Sequence, residues 1–123
     1  MMPFAGQLGM RIVRASRTEV VGELDWAPER TTAGGAMHGG AIMAFADSVG
    51  AVCAVLNLPP DSTTSTTSSS TVFIRGVRSG MVTATARPLH AGRSTIAVLT
   101  ELRDGDGRLV AQVTQSQAVL QAP

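Results

Sequence analysis

Between Thr31 and Pro60 only one side chain carries a formal charge, the carboxylate of Asp47, and it lies eight residues beyond Gly39 of the tripeptide His38-Gly39-Gly40. Ile42, Met43, Phe45, Ala46, Val49, Val52, Cys53, Val55 and Leu56 surround it and cover nearly every direction around a helix, which predicts a buried helix. An unpaired charge there costs several kcal/mol, so Asp47 either bonds a nearby backbone group or small water-filled gap, or it does chemistry. Gly39 and Gly40 open the same helix, where backbone N–H groups lack intrahelical partners. Helix-end positive charge and the absence of a side chain suit a polarised carbonyl or a developing oxyanion; they also suit a plain tight entry turn. A rise of 1.5 Å per residue puts Asp47 about 12 Å along the axis from Gly39, too far for one small reacting group to touch both. If both act on one carbonyl carbon they come from different chains, and the expectation is a site at a symmetric dimer interface.

The elements that must hold these residues are legible as patterns. Met10 to Ala15 and Thr18 to Trp26 read as two strands of an opening hairpin, with Val20, Gly22, Leu24 and Trp26 on one face by alternation. A small-residue loop, Ala27 to Met37, leads into the long helix, which Asn57-Leu58-Pro59-Pro60 ends. Strands are expected at Thr63 to Arg75, Met81 to His90, Ser94 to Arg103 and Leu109 to Val119, divided by Gly80, Gly92 and Asp104-Gly105-Asp106-Gly107, the last three as an antiparallel meander. Ser62 to Thr71 contains only Ser and Thr, the composition of a flexible linker. Threonine favours strands, and Val72-Phe73-Ile74 continue the run, so it reads instead as a strand with a hydroxyl-rich face, suited to a wet cleft or a subunit boundary. One helix against five or six antiparallel strands is an α+β layer arrangement in a single domain spanning 1–123, with the helix apolar all round because sheet enfolds it.

Bulk properties narrow the partners. A net charge of +1 and 3% aromatics supply neither a basic field nor stacking platforms, which excludes nucleic acid as a natural partner. Cys53 stands alone beside two histidines, so no disulfide framework and no metal centre is expected, and a reducing cytoplasm suits the chain. The start, Met1-Met2-Pro3-Phe4-Ala5-Gly6, lacks the basic and long apolar regions of a secretory signal. Gly39 to Leu56 is apolar but short for a membrane span and carries Asp47 near its middle, so a buried helix is the better reading.

The run from Ala36 to Asp47, Ala-Met-His-Gly-Gly-Ala-Ile-Met-Ala-Phe-Ala-Asp, resembles the signature of hotdog-fold acyl-CoA thioesterases of the PaaI-like and 4-hydroxybenzoyl-CoA thioesterase group. Phe73-Ile74-Arg75, Gly80, His90-Ala91-Gly92-Arg93 and Asp106-Gly107-Arg108-Leu109-Val110-Ala111 resemble later parts of the family, so the likeness runs from Leu8 to Val119. It implies a hotdog fold, an antiparallel sheet wrapped around one long central helix, assembled as a homodimer or as a dimer-of-dimers homotetramer. It implies an acyl-CoA substrate and no separate cofactor, CoA being part of that substrate. Asp47 would be the acidic catalytic residue, a general base on water or a nucleophile through an anhydride, and the Gly39 N–H would polarise the thioester carbonyl beside Gly40. His38 would hold the substrate, or would be a buried, paired histidine that shapes the loop. Arg75, His90, Gly92 and Arg93 resemble positions near the CoA nucleotide, where guanidinium groups suit phosphates. Three positions depart from the pattern. Thr32 stands where relatives carry Asn or Gln to orient water or substrate, Ala51 where many have Ser or Thr, and Gly76 where a Pro is usual. A hotdog module that binds such thioesters without turnover is the alternative, motivated by Thr32.

Overall fold

The structure, a computed structural model, describes residues 2–122. In chain order the elements are α1 (Pro3–Leu8), β1 (Arg11–Ala15), β2 (Val20–Asp25), a 3-10 turn (Pro28–Arg30), α2 (Gly39–Leu56), β3 (Ser62–Phe73), β4 (Met81–Ala91), β5 (Thr95–Arg103) and β6 (Leu109–Gln121). The six strands form one antiparallel sheet in the order β1-β2-β4-β5-β6-β3, and α2 touches every strand of it. This is the expected α+β hotdog architecture, with β4, β5 and β6 as the meander.

Alternation builds the core. Val82, Ala84 and Ala86 of β4 and Ile96, Val98 and Leu102 of β5 turn inward, where they meet Phe45, Ala46, Val49 and Cys53 of α2. Gly22 in β2 sets how closely the helix lies: a Cβ there would come within 2.8 Å of Val49 Cγ2 and 3.2 Å of the Phe45 ring. A side chain at that position would lift α2 from the sheet. At 18 residues and mean hydropathy 1.8, α2 is long and apolar enough to cross a membrane by composition alone. In this fold that apolarity faces the sheet, where Ile42, Phe45, Ala46, Val49, Cys53 and Ala54 are buried.

The expectations from sequence need correction in five places, one of them that β2 spans Val20–Asp25 and not Thr18 to Trp26. The helix is not enclosed all round: Met43 and Val55 are 41% and 54% exposed, and Asp47 and Ala51, spaced between them along the same face, are only half-buried. The sheet leaves one face of the helix uncovered, and α1 packs against only part of it. α1 was not foreseen, because six residues with Pro at the start are too short for a helical period; Gly9, at φ +91°, stops it by donating to Ala5 and Gly6 carbonyls. β3 ends at Phe73 instead of Arg75, since the Ile74 and Arg75 N–H groups both turn onto the Val110 carbonyl. β6 runs on to Gln121, paired there with Ser62. The Ser/Thr run is strand throughout, in register with β6 from Ser62 to Phe73 except where Thr67 is skipped.

Candidate active site

Asp47 is held by groups from the two strands that pass under the middle of α2. Its Oδ1 accepts the Thr66 hydroxyl of β3 at 2.8 Å and the Gln115 amide Nε2–H of β6 at 3.0 Å. Thr66 in turn accepts from Gln117 Nε2 at 2.7 Å, and Gln117 Oε1 accepts from Thr64 at 3.0 Å. Gln115 and Gln117 are each 1% exposed, whereas Asp47 is half-buried on the open face of the helix. The carboxylate therefore has side-chain donors, neither a backbone group nor an empty gap. Sequence reasoning missed Thr64, Thr66, Gln115 and Gln117. A signal existed: in β6 the inward positions read Val113, Gln115, Gln117, placing two polar amides where alternation calls for core residues.

At the start of α2, His38 is the N-cap, its Nδ1 accepting the Gly40 N–H at 2.7 Å. An accepting Nδ1 places the ring proton on Nε2. The His38 carbonyl also accepts from Ala41 and Ile42. Of the two glycine N–H groups, Gly40's is thus used within the chain, and Gly39's is the one with no recorded partner among the described residues. His38 is exposed in the single chain and not buried, but it is paired, its ring capping the helix through the Gly40 N–H. The Phe73 ring lies over Gly39, where a Cβ would meet it at 3.2 Å, and a cleft of about 360 Å³ opens there between Gly39, Ile42, Phe73 and Arg75.

Thr32 sits in the loop before the helix, exposed, its hydroxyl accepting the Gly34 N–H at 3.3 Å. The loop is pinned by Trp26 Nε1 donating to the Gly35 carbonyl and by Arg78 donating to that of Gly34. In this position Thr32 shapes its own turn.

The four residues assigned to a nucleotide do not gather in one chain. His90 lies near the end of β4 and Gly92 and Arg93 in the β4–β5 turn, at the end of the sheet where β3 begins, whereas Arg75 follows the far end of β3. Arg93 and Gly92 share a cleft of about 340 Å³ with Arg17, Asn57 and Pro59, so Arg17 is a second guanidinium that sequence reasoning missed. A larger, mainly apolar cleft of about 590 Å³ runs along the open helix face between Ala51, Val55, Met10, Ile12, Leu56 and Thr64. Among the described residues no three His, Cys, Asp or Glu side chains cluster as a metal site would require. Burial pushes the Cys53 thiol above its ordinary value, away from thiolate reactivity.

Comparison with known proteins places this fold and site in a family. Residues 34–111, which include the His-Gly-Gly turn, Asp47 and β3, match the thioesterase superfamily. The chain is 30% identical over 114 residues to the Mycobacterium tuberculosis protein named "Putative esterase Rv1847", covering 90% of this chain and 81% of that one. The solved structure of that protein superposes with a TM-score of 0.95 at 29% identity, covering 99% of both chains. A mutant of thioesterase PA1618 from Pseudomonas aeruginosa superposes at 0.91 with 26% identity, covering 95% of this chain and 85% of that one. The chain belongs to the thioesterase superfamily, with a hotdog fold.

Proposed function

We propose that the protein hydrolyses an acyl-CoA thioester at sites shared between two copies paired along β3. One observation carries this reading: Thr66 holds Asp47 and Phe73 covers Gly39, at two points along an unpaired edge strand. Suppose two β3 strands pair antiparallel about Ser70 and leave Thr67 unpaired, as it already is against β6. Phe73 then falls opposite Thr66, Val72 opposite Ser68, and Thr71 opposite Ser69, and every pair shares a face of the sheet. Paired strands lie about 4.8 Å apart, so Gly39 of the partner subunit comes beside Asp47, closing a gap of about 12 Å within one chain. The same pairing carries Arg75 of the partner subunit to the end of the sheet that holds His90, Gly92, Arg93 and Arg17. Those guanidinium groups suit the phosphates of CoA. The apolar cleft beside Ala51 and Val55 suits the acyl group.

In the reaction proposed, Asp47 takes a proton from water as the water oxygen attacks the thioester carbon. The carbonyl electron pair moves onto oxygen, where the free Gly39 N–H and the positive end of α2 stabilise it. Collapse of the tetrahedral species breaks the C–S bond, and the departing thiolate takes the proton back from Asp47. The products are the carboxylic acid and CoA thiol. A cytoplasmic setting, with its CoA esters and reduced Cys53, fits this chemistry.

A thiol-release assay across aryl- and aliphatic acyl-CoA esters tests the reading. Asp47→Asn is expected to lower kcat by about 10²–10⁴, the range a positioned acid–base group supplies. Equal hydrolysis by wild type and variant overturns the catalytic assignment. Tight ester binding by the wild type with no thiol release would instead support the binding-module alternative.

A further inference from the structure

Gln115 occupies a core position on β6, yet its amide is committed to a single task. Nε2 donates to Asp47 Oδ1 at 3.0 Å, while Oε1 is buried with no hydrogen-bond partner. A buried amide carbonyl without a donor is unfavourable, and an apolar side chain would fill the same space without that cost. Room for the amide exists only because residue 50 of α2 is glycine. A Cβ at Gly50 would lie 2.0 Å from Gln115 Oε1 and 2.6 Å from its Cδ. Glycine is a poor residue for a helix interior, so two unfavourable choices on two elements converge on one hydrogen bond.

We infer that Gln115, admitted by Gly50, is a positioning residue that with Thr66 fixes Asp47 so that Oδ2 alone reacts; this rests on the reading of Asp47 as catalytic. Both donors meet the same oxygen, Oδ1. The donors behind Asp47 run in one direction, Gln117 to Thr66 to Asp47, so both hydrogens point toward the carboxylate. A proton on Oδ1 would face two donor hydrogens with no acceptor. The proton that Asp47 takes from water therefore rests on Oδ2, from which it returns to the thiolate. The amide cannot turn over to relieve Oε1, because the flipped orientation would aim a carbonyl oxygen at the carboxylate. Gln117 reinforces the arrangement by holding the Thr66 hydroxyl in its donating orientation.

The test uses the full chain with an acyl-CoA ester that the wild type hydrolyses. Gln115→Met keeps length and packing while removing the donor; kcat is expected to fall about tenfold, with KM within about twofold of wild type and no loss of thermal stability. Gly50→Ala, which drives a methyl group into Gln115, is expected to give the same split. Combining the two should cost no more than either alone, because both remove one bond. A role in packing alone would leave kcat unchanged, or lower stability and kcat together in additive steps, and either pattern overturns the inference. Should Gln115→Met fail to fold, the Thr66 donor serves instead. Thr66→Ser should retain the rate and Thr66→Val should lose it, and a fully active Thr66→Val overturns the proposal. Asp47→Asn separates the two levels: an active Asp47→Asn sinks the catalytic reading, while an inactive Asp47→Asn beside a fully active Gln115→Met sinks this inference alone.

Discussion

The two edges of the sheet are finished in different ways. At one edge β1 is five residues long, irregular between Ile12 and Arg14, and laced with charge. Arg11 pairs with Glu23 and Asp25, and Glu19 is bonded by both Arg14 and Arg87. Those guanidinium bonds, Arg14 first and Arg87 second, hold the Glu19 carboxyl below its ordinary value. At the other edge β3 runs twelve residues without a charge or a proline. Charge, shortness and irregularity are how an edge is protected from pairing with another chain, and β3 has neither the charge nor the shortness. The difference separates an edge guarded against pairing with another chain from one left open to it. Asp47, Thr66, Phe73 and Gly39 all gather at the second.

Among changes to the two edges, the largest expected effect comes from giving β3 what β1 already has. Ser70→Lys would set two like charges opposite each other across the paired strands, and it should yield monomers by light scattering with thioesterase activity down about a hundredfold. Arg14→Ser, which strips a charge from β1, should leave association unchanged. A fully active dimer of Ser70→Lys would show that β3 is not the boundary that completes the site. A smaller change should follow from narrowing the cleft beside β3. Ala51→Leu is expected to raise KM for long aliphatic acyl-CoA esters by about tenfold while sparing acetyl-CoA, read from substrate series at fixed enzyme. Equal effects on both esters would place the acyl group elsewhere.

The smallest effect belongs to the charged edge. Because the folded-state pKa of Glu19 is depressed, its contribution is present above the unfolded value near 4.5 and is lost as pH falls through the lower folded value. Glu19→Gln should therefore lower the melting temperature by about 1–2 °C at pH 7, as expected of an exposed ion pair, with the gap closing in acid. A gap that persists well below pH 4, about where the ordinary carboxylate range ends, would remove charge as its cause.

Local chemistry made much of the molecule readable. Period-two alternation marked the inward face of β2, glycine and Asp-Gly turns marked the meander, and Pro59-Pro60 ended α2. The lone charge at Asp47 and the glycines before it were visible for the same reason, since burial and helix termini act on neighbours in sequence. Periodicity could not find α1, which is too short to show one, nor tell that α2 is covered on one side only, because both faces are apolar. The amides at Gln115 and Gln117 stood in the strand read from Leu109 to Val119 without being singled out. Gln115 became Asp47's partner, and Gln117 that of Thr66 behind it, only when the sheet carried β6 beneath the helix, 68 residues after Asp47 in the case of Gln115.

Residue types a few positions apart were enough to define most of the elements, the family and the acid read as the centre of the site, because propensity, turn chemistry and helix-end charge all act over that range. Packing across the sheet decided which oxygen of that acid is held, because that follows from side chains of β3 and β6 that meet it only after folding. It also decided which edge was left open. Pairing of β3 with β6 uses one side of the strand, and its other side has no partner within the fold.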